Sequence, residues 1–235
     1  MDIYIPMSVI KKKFSVIIRT KNEEKWLSSC LFAVRNQDGP EVEIVVVDNE
    51  STDQSVAIAK HFGCKMLSIS DADFNFSRAL NIGVEAAEGE LIAITSGHCV
   101  PVNDQWINGL SMNFIRPQVG AVYGRQEPLP DSHPFDKRDL WTTFGLDRKT
   151  QKKDYFFHNA NSMLRRSLWE DTPFSEEING VEDRDWAKKI LQRGHEIVYE
   201  PTASVFHHHG IHHSGNEQRA ARVVRMIEAI QKDLV

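Results

Sequence analysis

Short unbroken apolar runs alternate with amphipathic stretches from Phe14 onward. Phe14–Ile18, Ile44–Val47 and Leu91–Thr95 are rich in β-branched residues and read as strands buried on both faces. Lys65–Ile69 reads as a further strand. Between the strands, Trp26, Leu27, Leu31 and Val34 recur at helical spacing over residues 23–36. Ser51-Thr52-Asp53-Gln54-Ser55 offers an N-cap for a helix to about Phe62, and Phe76–Ala87 reads as a helix closed by Gly89. Trp106–Phe114 reads as another helix. Strands and helices alternating at this spacing imply an α/β fold: a Rossmann-like, mainly parallel central sheet flanked by helices.

Ligands of such sheets bind beyond the carboxyl ends of the strands. Three strands here end in polar clusters, Arg19-Thr20-Lys21-Asn22, Asp48-Asn49-Glu50 and Ser96-Gly97-His98. Their convergence on one edge makes a nucleotide site an expectation of the pattern alone. After Gly120 the pattern loosens. Val119–Tyr123 and Asn159–Leu164 read as strands, Pro128–Pro134 as a turn-rich loop and Asp147–Asp154 as an exposed charged segment. Trp186–Arg193 reads as a helix ended by Gly194, and Ile197–Tyr199 and Ala203–Phe206 as two short strands. Glu217–Leu234 carries Val223, Val224, Ile227 and Ile230 at amphipathic spacing, giving a C-terminal helix that packs on its own domain or on a second subunit of a homodimer.

Bulk properties narrow the class. The 235 residues show no linker and no repeat, so one domain spanning residues 1–235 is expected. A net charge of -5 argues against a nucleic-acid partner held by a broad basic surface. Cys30, Cys64 and Cys99 form no paired-cysteine motif, which argues against a zinc ribbon or a disulfide framework and fits a reducing cytoplasmic setting. No apolar run matches a signal peptide or a membrane span. Lys11–Lys13 reads as a solvated lead-in to the first strand; the sharper reading is peripheral contact with the anionic inner face of a membrane.

Residues 14–24 (Phe-Ser-Val-Ile-Ile-Arg-Thr-Lys-Asn-Glu-Glu), residues 44–53 (Ile-Val-Val-Val-Asp-Asn-Glu-Ser-Thr-Asp) and residues 180–186 (Gly-Val-Glu-Asp-Arg-Asp-Trp) together resemble the family 2 glycosyltransferases, which share the GT-A fold. The resemblance runs from about Phe14 to about His209, and Phe74–Gly83 (Phe-Asn-Phe-Ser-Arg-Ala-Leu-Asn-Ile-Gly) is similar to rhamnosyltransferase-like members. It implies a nucleotide-binding half over about residues 14–120, an acceptor and catalytic half over about 121–216, and the helix of 217–235. It further implies an inverting transfer of sugar from a nucleotide-diphosphate donor to a glycan or lipid-linked glycan acceptor in bacterial surface polysaccharide synthesis. One rival is a sugar nucleotidylyltransferase, which the lack of glycine in Arg19–Glu24 disfavours. The other is a non-catalytic nucleotide-sugar-binding module.

The resemblance also suggests roles. Asp48 matches the acidic residue that holds the nucleoside, with Thr20, Asn22 and Glu23 closing over it; Thr20 and Glu23 read equally as helix caps. Asp53 reads as a helix cap ahead of a ligand contact. Asn81 belongs to an Asn-x-Gly turn beside the nucleotide, and Arg78 carries a planar fork suited to diphosphate oxygens. The metal motif, ordinarily Asp-x-Asp, is replaced by Ser96-Gly97-His98. His98 then either binds manganese or magnesium, completed by His207, or hydrogen-bonds phosphate as a neutral imidazole. The run from His207 to His213 is also His-rich enough to take up nickel or zinc adventitiously. Asp183 matches the catalytic base with Glu182 in reserve, although acids also simply enrich helix N-termini. Asn159, Asn161 and Trp186 are candidates for the sugar or acceptor site. Trp141, Phe144, Tyr155, Phe156 and His158 lie in the region from which the family builds its acceptor site, and the aromatics among them suit sugar stacking and core packing equally.

Overall fold

The computed structural model describes residues 13–39, 41–208 and 217–232. Three apolar runs form the centre of its sheet. β1 (Phe14–Thr20), β2 (Val42–Asp48) and β4 (Leu91–Ser96) lie parallel, with β3 (Lys65–Ser68) outside β2. Val16, Ile18 and Ala93 point into one apolar layer, with Leu27 and Leu31 of α1 (Glu24–Arg35), Ala59 of α2 (Ser55–His61) and Trp106 of α4 (Trp106–Ser111). Ile17, Ile92 and Ile94 point into the other, with Ala79, Leu80 and Val84 of α3 (Phe76–Ala86). Both faces are covered, so every residue of β4 is buried and the strand reads as a continuous apolar run.

Beyond β4 the sheet changes direction. The remaining strands are β5 (Cys99–Pro101), β6 (Val119–Pro128), β7 (Lys149–Gln151), β8 (Asn161–Arg165) and β9 (Glu196–His207). β8 pairs antiparallel with both β4 and β6, and β9 pairs parallel with β6. β5 and β7 flank β9 antiparallel. One nine-stranded sheet results, in the order β3-β2-β1-β4-β8-β6-β9-β5 with β7 on β9. The parallel portion is the part where strand and helix alternate regularly.

Several elements differ from the sequence reading. β9 is one strand of 12 residues, not two. Pro201 falls between the Gly124–Glu200 and Gln126–Val205 pairs, where the register shifts, and a bulge is where a strand tolerates proline. The helices α5 (Pro134–Thr143) and α6 (Arg166–Asp171) were not anticipated, and β7 lies within the charged segment read as exposed. α7 (Glu182–Gln192) begins before Trp186, so Glu182, Asp183 and Asp185 occupy its first turn. Gly89 is not a helix cap. α3 ends on an extended Ala87, and Gly89 is needed for room: a Cβ there would lie 2.5 Å from the Ser15 nitrogen. The C-terminal helix α8 (Glu217–Lys232) packs on its own chain through buried Ile230, whose carbonyl accepts a hydrogen bond from Lys188 Nζ at 2.7 Å. No helix among the described residues is long and apolar enough to cross a membrane.

Candidate active site

Register alone assembles the polar edge. Thr20 is paired with Asp48 and Arg19 with Ser96, so the three clusters expected to converge do so. Just beyond β1 and β2 the chain turns through left-handed residues that are not glycine, Asn22 (φ 54°) and Glu50 (φ 47°). Such strain persists where surrounding contacts hold it. Asn22 N donates to Ser51 Oγ (2.9 Å), and Asn22 Oδ1 accepts from Thr52 N (2.8 Å). Asp53 accepts from Glu24 N and Ser55 N, at 3.0 and 2.8 Å, and so ties the starts of α1 and α2 together. Asn22 and Asp53 therefore build the frame of the site.

A cavity of about 120 Å³ opens beside this frame, walled by Thr20, Glu23, Val47, Asn49 and Phe74. Asp48, between Val47 and Asn49, is buried. Its Oδ2 accepts from Ser51 N at 3.1 Å, while Oδ1 has no hydrogen-bond partner among the described residues. Thr20 Oγ1 is in the same condition. Buried oxygens are ordinarily satisfied, so this pair is suited to donors brought by a ligand.

A second cavity, of about 210 Å³, lies against α7 and is walled by Glu182, Asp183, His158, Asn159 and His207. Arg222, Val223 and Met226 of α8 close its far side. Arg19, Phe76, Ser96 and His98 line both cavities. Glu182 Oε2 accepts from Gly180 N (3.1 Å), and its Oε1 stands 3.7 Å from Arg19 Nη1. Burial pushes the Glu182 carboxyl up to about 7; the Asp183 charge adds to this and Arg19 opposes it. Burial also raises Asp183, against the pull of Arg184 and of hydrogen bonds from Arg184 N (2.8 Å) and Asn159 N (3.3 Å). The two carboxyls interact, so they titrate as a pair.

The imidazoles of His98 and His207 stack, with ring centroids 5.2 Å apart. His98 Nδ1–H donates to Glu23 Oε1 and His207 Nδ1–H to Gln126 Oε1, each at 2.6 Å. Nδ1–H held by an oxygen is the outer-shell arrangement that orients a metal-binding histidine. The ligand atoms of His98, Cys99 and His207 lie within 4.8 Å of one another. Burial pushes the Cys99 thiol up to about 12, so it would have to lose a proton to bind a metal, whereas the two imidazoles bind as neutral donors. Two imidazoles suit a manganese-class ion better than magnesium, which prefers an all-oxygen shell. His208 points elsewhere, its ring 4.5 Å from Trp26, while His209, His212 and His213 lie outside the described residues.

Six candidates line neither cavity: Asn22 and Asp48, which sit in the frame beside the smaller one, and Arg78, Asn81, Asn161 and Trp186. Arg78 faces Glu176, with Nε 2.9 Å from its carboxylate, because its place on α3 turns it toward the 174–179 loop. Asn81 clips that same region: its Oδ1 accepts from Trp169 Nε1 and Phe174 N, and its Nδ2 donates to Phe174 O. Asn161 is fully buried beneath the site, accepting from Trp106 Nε1 and donating to Arg125 O and Ala203 O. Trp186 is fully buried against Phe157 and Phe174. Phe144 is core as well, whereas Trp141 is exposed. Arg222 lines the larger cavity although the sequence did not point to it; Arg19 and His158, noted only as a member of the first polar cluster and as an acceptor-region residue, line it too. Arg19 had a signal: a permanently charged side chain inside an otherwise apolar strand calls for a partner. Arg222 had none, since nothing local shows that α8 folds back beside α7.

Comparison with known proteins places these features in context. The profile described as Glycosyl transferase family 2 matches residues 15–172. The O-antigen chain rhamnosyltransferase RfbN of Salmonella typhimurium is 26% identical over 209 residues, covering 84% of this chain and 67% of the relative. The glycosyltransferase AglE of Haloferax volcanii is 28% identical over 194 residues, covering 79% and 63%. The mannosyltransferase PcManGT from Pyrobaculum calidifontis, solved in complex with GDP-Man and Mn2+, superposes with a TM-score of 0.71 at 21% identity, over 95% of this chain and 65% of that one. The chain thus spans about two thirds of the length of these relatives.

Proposed function

The chain belongs to glycosyl transferase family 2, and from that premise we propose that it is an inverting transferase acting on a nucleotide-diphosphate sugar. The acceptor is a glycan or lipid-linked glycan of bacterial surface polysaccharide synthesis, a reading supported by the likeness to RfbN. Residues of about 14–120 hold the donor nucleotide, and those of about 121–216 supply the acceptor side and the base. The enzyme works in the cytoplasm, at most in peripheral contact with the inner face of the membrane.

One observation carries this reading: a carboxyl pair with raised pKa values, Glu182 buried and Asp183 half-buried, faces a cavity whose wall is shared with the polar edge of the sheet. In the transfer, the acceptor hydroxyl oxygen bonds to the anomeric carbon as its proton passes to the Asp183 carboxylate. The bond from that carbon to the diphosphate oxygen breaks, and its electron pair leaves with the diphosphate. A raised pKa makes Asp183 a stronger base than an ordinary aspartate, provided it is ionised at working pH. Asn159 N steadies it by donating to Oδ2. Glu182 holds the sugar or acceptor. Asp48 and Thr20 receive donors from the nucleoside, and Glu23 orients His98. A bound divalent cation supplies Lewis-acid stabilisation of the diphosphate, with His98 and His207 as the residues that would hold it.

Calorimetric titration of UDP, GDP, TDP and CDP, with and without manganese, tests the donor site. Tight binding of one nucleotide is expected, strengthened by manganese in wild type and less so in His98→Ala. Binding of none would favour a non-catalytic module, the reading to which Ser96-Gly97-His98 lends support.

A further inference from the structure

A nucleotide sugar has its diphosphate in the middle, with the nucleoside on one side and the transferred sugar on the other. If the nucleoside occupies the cavity beside Asp48 and the sugar that beside Asp183, the diphosphate spans their junction. That junction is marked by the residues common to both walls, Arg19, Phe76, Ser96 and His98. Arg19 alone among these carries a permanent positive charge.

Its surroundings leave that charge available. Arg19 lies at the end of β1, its guanidinium carbon 4.8 Å above the centre of the Phe76 ring. Nε and Nη1 are buried, with no hydrogen-bond partner among the described residues. The nearest counter-charge, Glu182 Oε1, stands at 3.7 Å, outside hydrogen-bond range. Buried guanidinium donors are costly to leave unmet, and they match phosphate oxygens in a planar fork. The Phe76 ring and the strand backbone fix the guanidinium plane, so little order is lost on binding. Arg78, by contrast, already has Glu176 as its partner.

We propose that Arg19 grips the donor diphosphate and stabilises the oxygen that takes the electron pair when the anomeric bond breaks. This rests on the donor-site reading above. The attraction of Glu182 holds Arg19 in place before the donor arrives, and the diphosphate then satisfies the donors that Glu182 does not reach. Arg19 and the His98–His207 pair flank the same junction, so dependence on Arg19 is largest where no cation shares the load.

The test compares a nucleoside diphosphate with its parent nucleoside by calorimetry, in EDTA and in manganese, for wild type, Arg19→Gln and Arg19→Lys. Arg19→Gln is expected to weaken the diphosphate by about 10- to 100-fold in EDTA, and by less in manganese, without changing nucleoside affinity. Arg19→Lys keeps the charge without the fork and falls between, so it also reads the proposal if Arg19→Gln folds poorly. Diphosphate affinity equal to wild type in both variants, or an equal loss of nucleoside affinity in a folded variant, overturns the Arg19 assignment alone. Failure of wild type to bind any of the four nucleoside diphosphates contradicts the donor-site reading and this assignment with it.

Discussion

The two halves of the molecule present the same sheet in different ways. From β1 to β4 the strands are parallel, buried on both faces and joined by regular helices, and their carboxyl ends form the edge that holds Arg19, Thr20, Asp48 and Ser96. From β6 to β9 the sheet mixes directions, carries register shifts, and contributes its chemistry at the first turn of α7. The first half is a frame in which position follows from topology. In the second, position follows from long-range contacts such as Asn161 with Trp106 and Ala203, or α8 against α7. The polar strand-end groups sit where topology is regular; the carboxyl pair sits where packing is specific.

Perturbing the second half tests that contrast most strongly through Trp186. If Trp186 is core rather than sugar-binding, Trp186→Ala costs about 3–5 kcal/mol of stability, read from denaturant unfolding. Stability near wild type with weakened donor or acceptor binding would return Trp186 to the site.

Glu182 comes next. A carboxyl whose pKa rises on folding, here from 4.5 to about 7, binds its proton more tightly in the folded chain. Its contribution to stability is fully present below about pH 4.5 and is lost as pH rises through about 7. Glu182→Gln should therefore flatten the fall in Tm between pH 4.5 and 8, and unchanged pH dependence would show that Glu182 stays ionised.

The smallest effect is expected in the first half. Arg78→Ala removes a solvent-exposed pair with Glu176, which contributes little to stability, and leaves nucleotide affinity as it was. A tenfold loss of diphosphate affinity would restore Arg78 to the site.

The same contrast governs what the sequence discloses. β1, β2 and β4 are legible because burial on both faces writes itself as unbroken apolar runs, and the polar residues that end them are legible as a site because parallel topology aligns strand ends. The carboxyl pair is legible only through the likeness of residues 180–186 to a known motif, since three acids in a first helical turn are otherwise ordinary. Trp186, Asn161 and Asn81 misled because an aromatic or amide near a site looks the same whether it faces ligand or core. β9 reads as two strands because Pro201 interrupts it at a bulge. Arg222 reaches the cavity through the return of α8, a contact that no local pattern encodes.

On this reading donor binding belongs to the first half and proton removal to Asp183 in the second. Its most direct test is Asp183→Asn, titrated with the preferred nucleotide and assayed for sugar transfer under the same conditions. Nucleotide affinity close to wild type is expected, with transfer reduced by about 10²- to 10⁴-fold, the usual worth of a positioned general base. Undiminished transfer in the variant would contradict this reading.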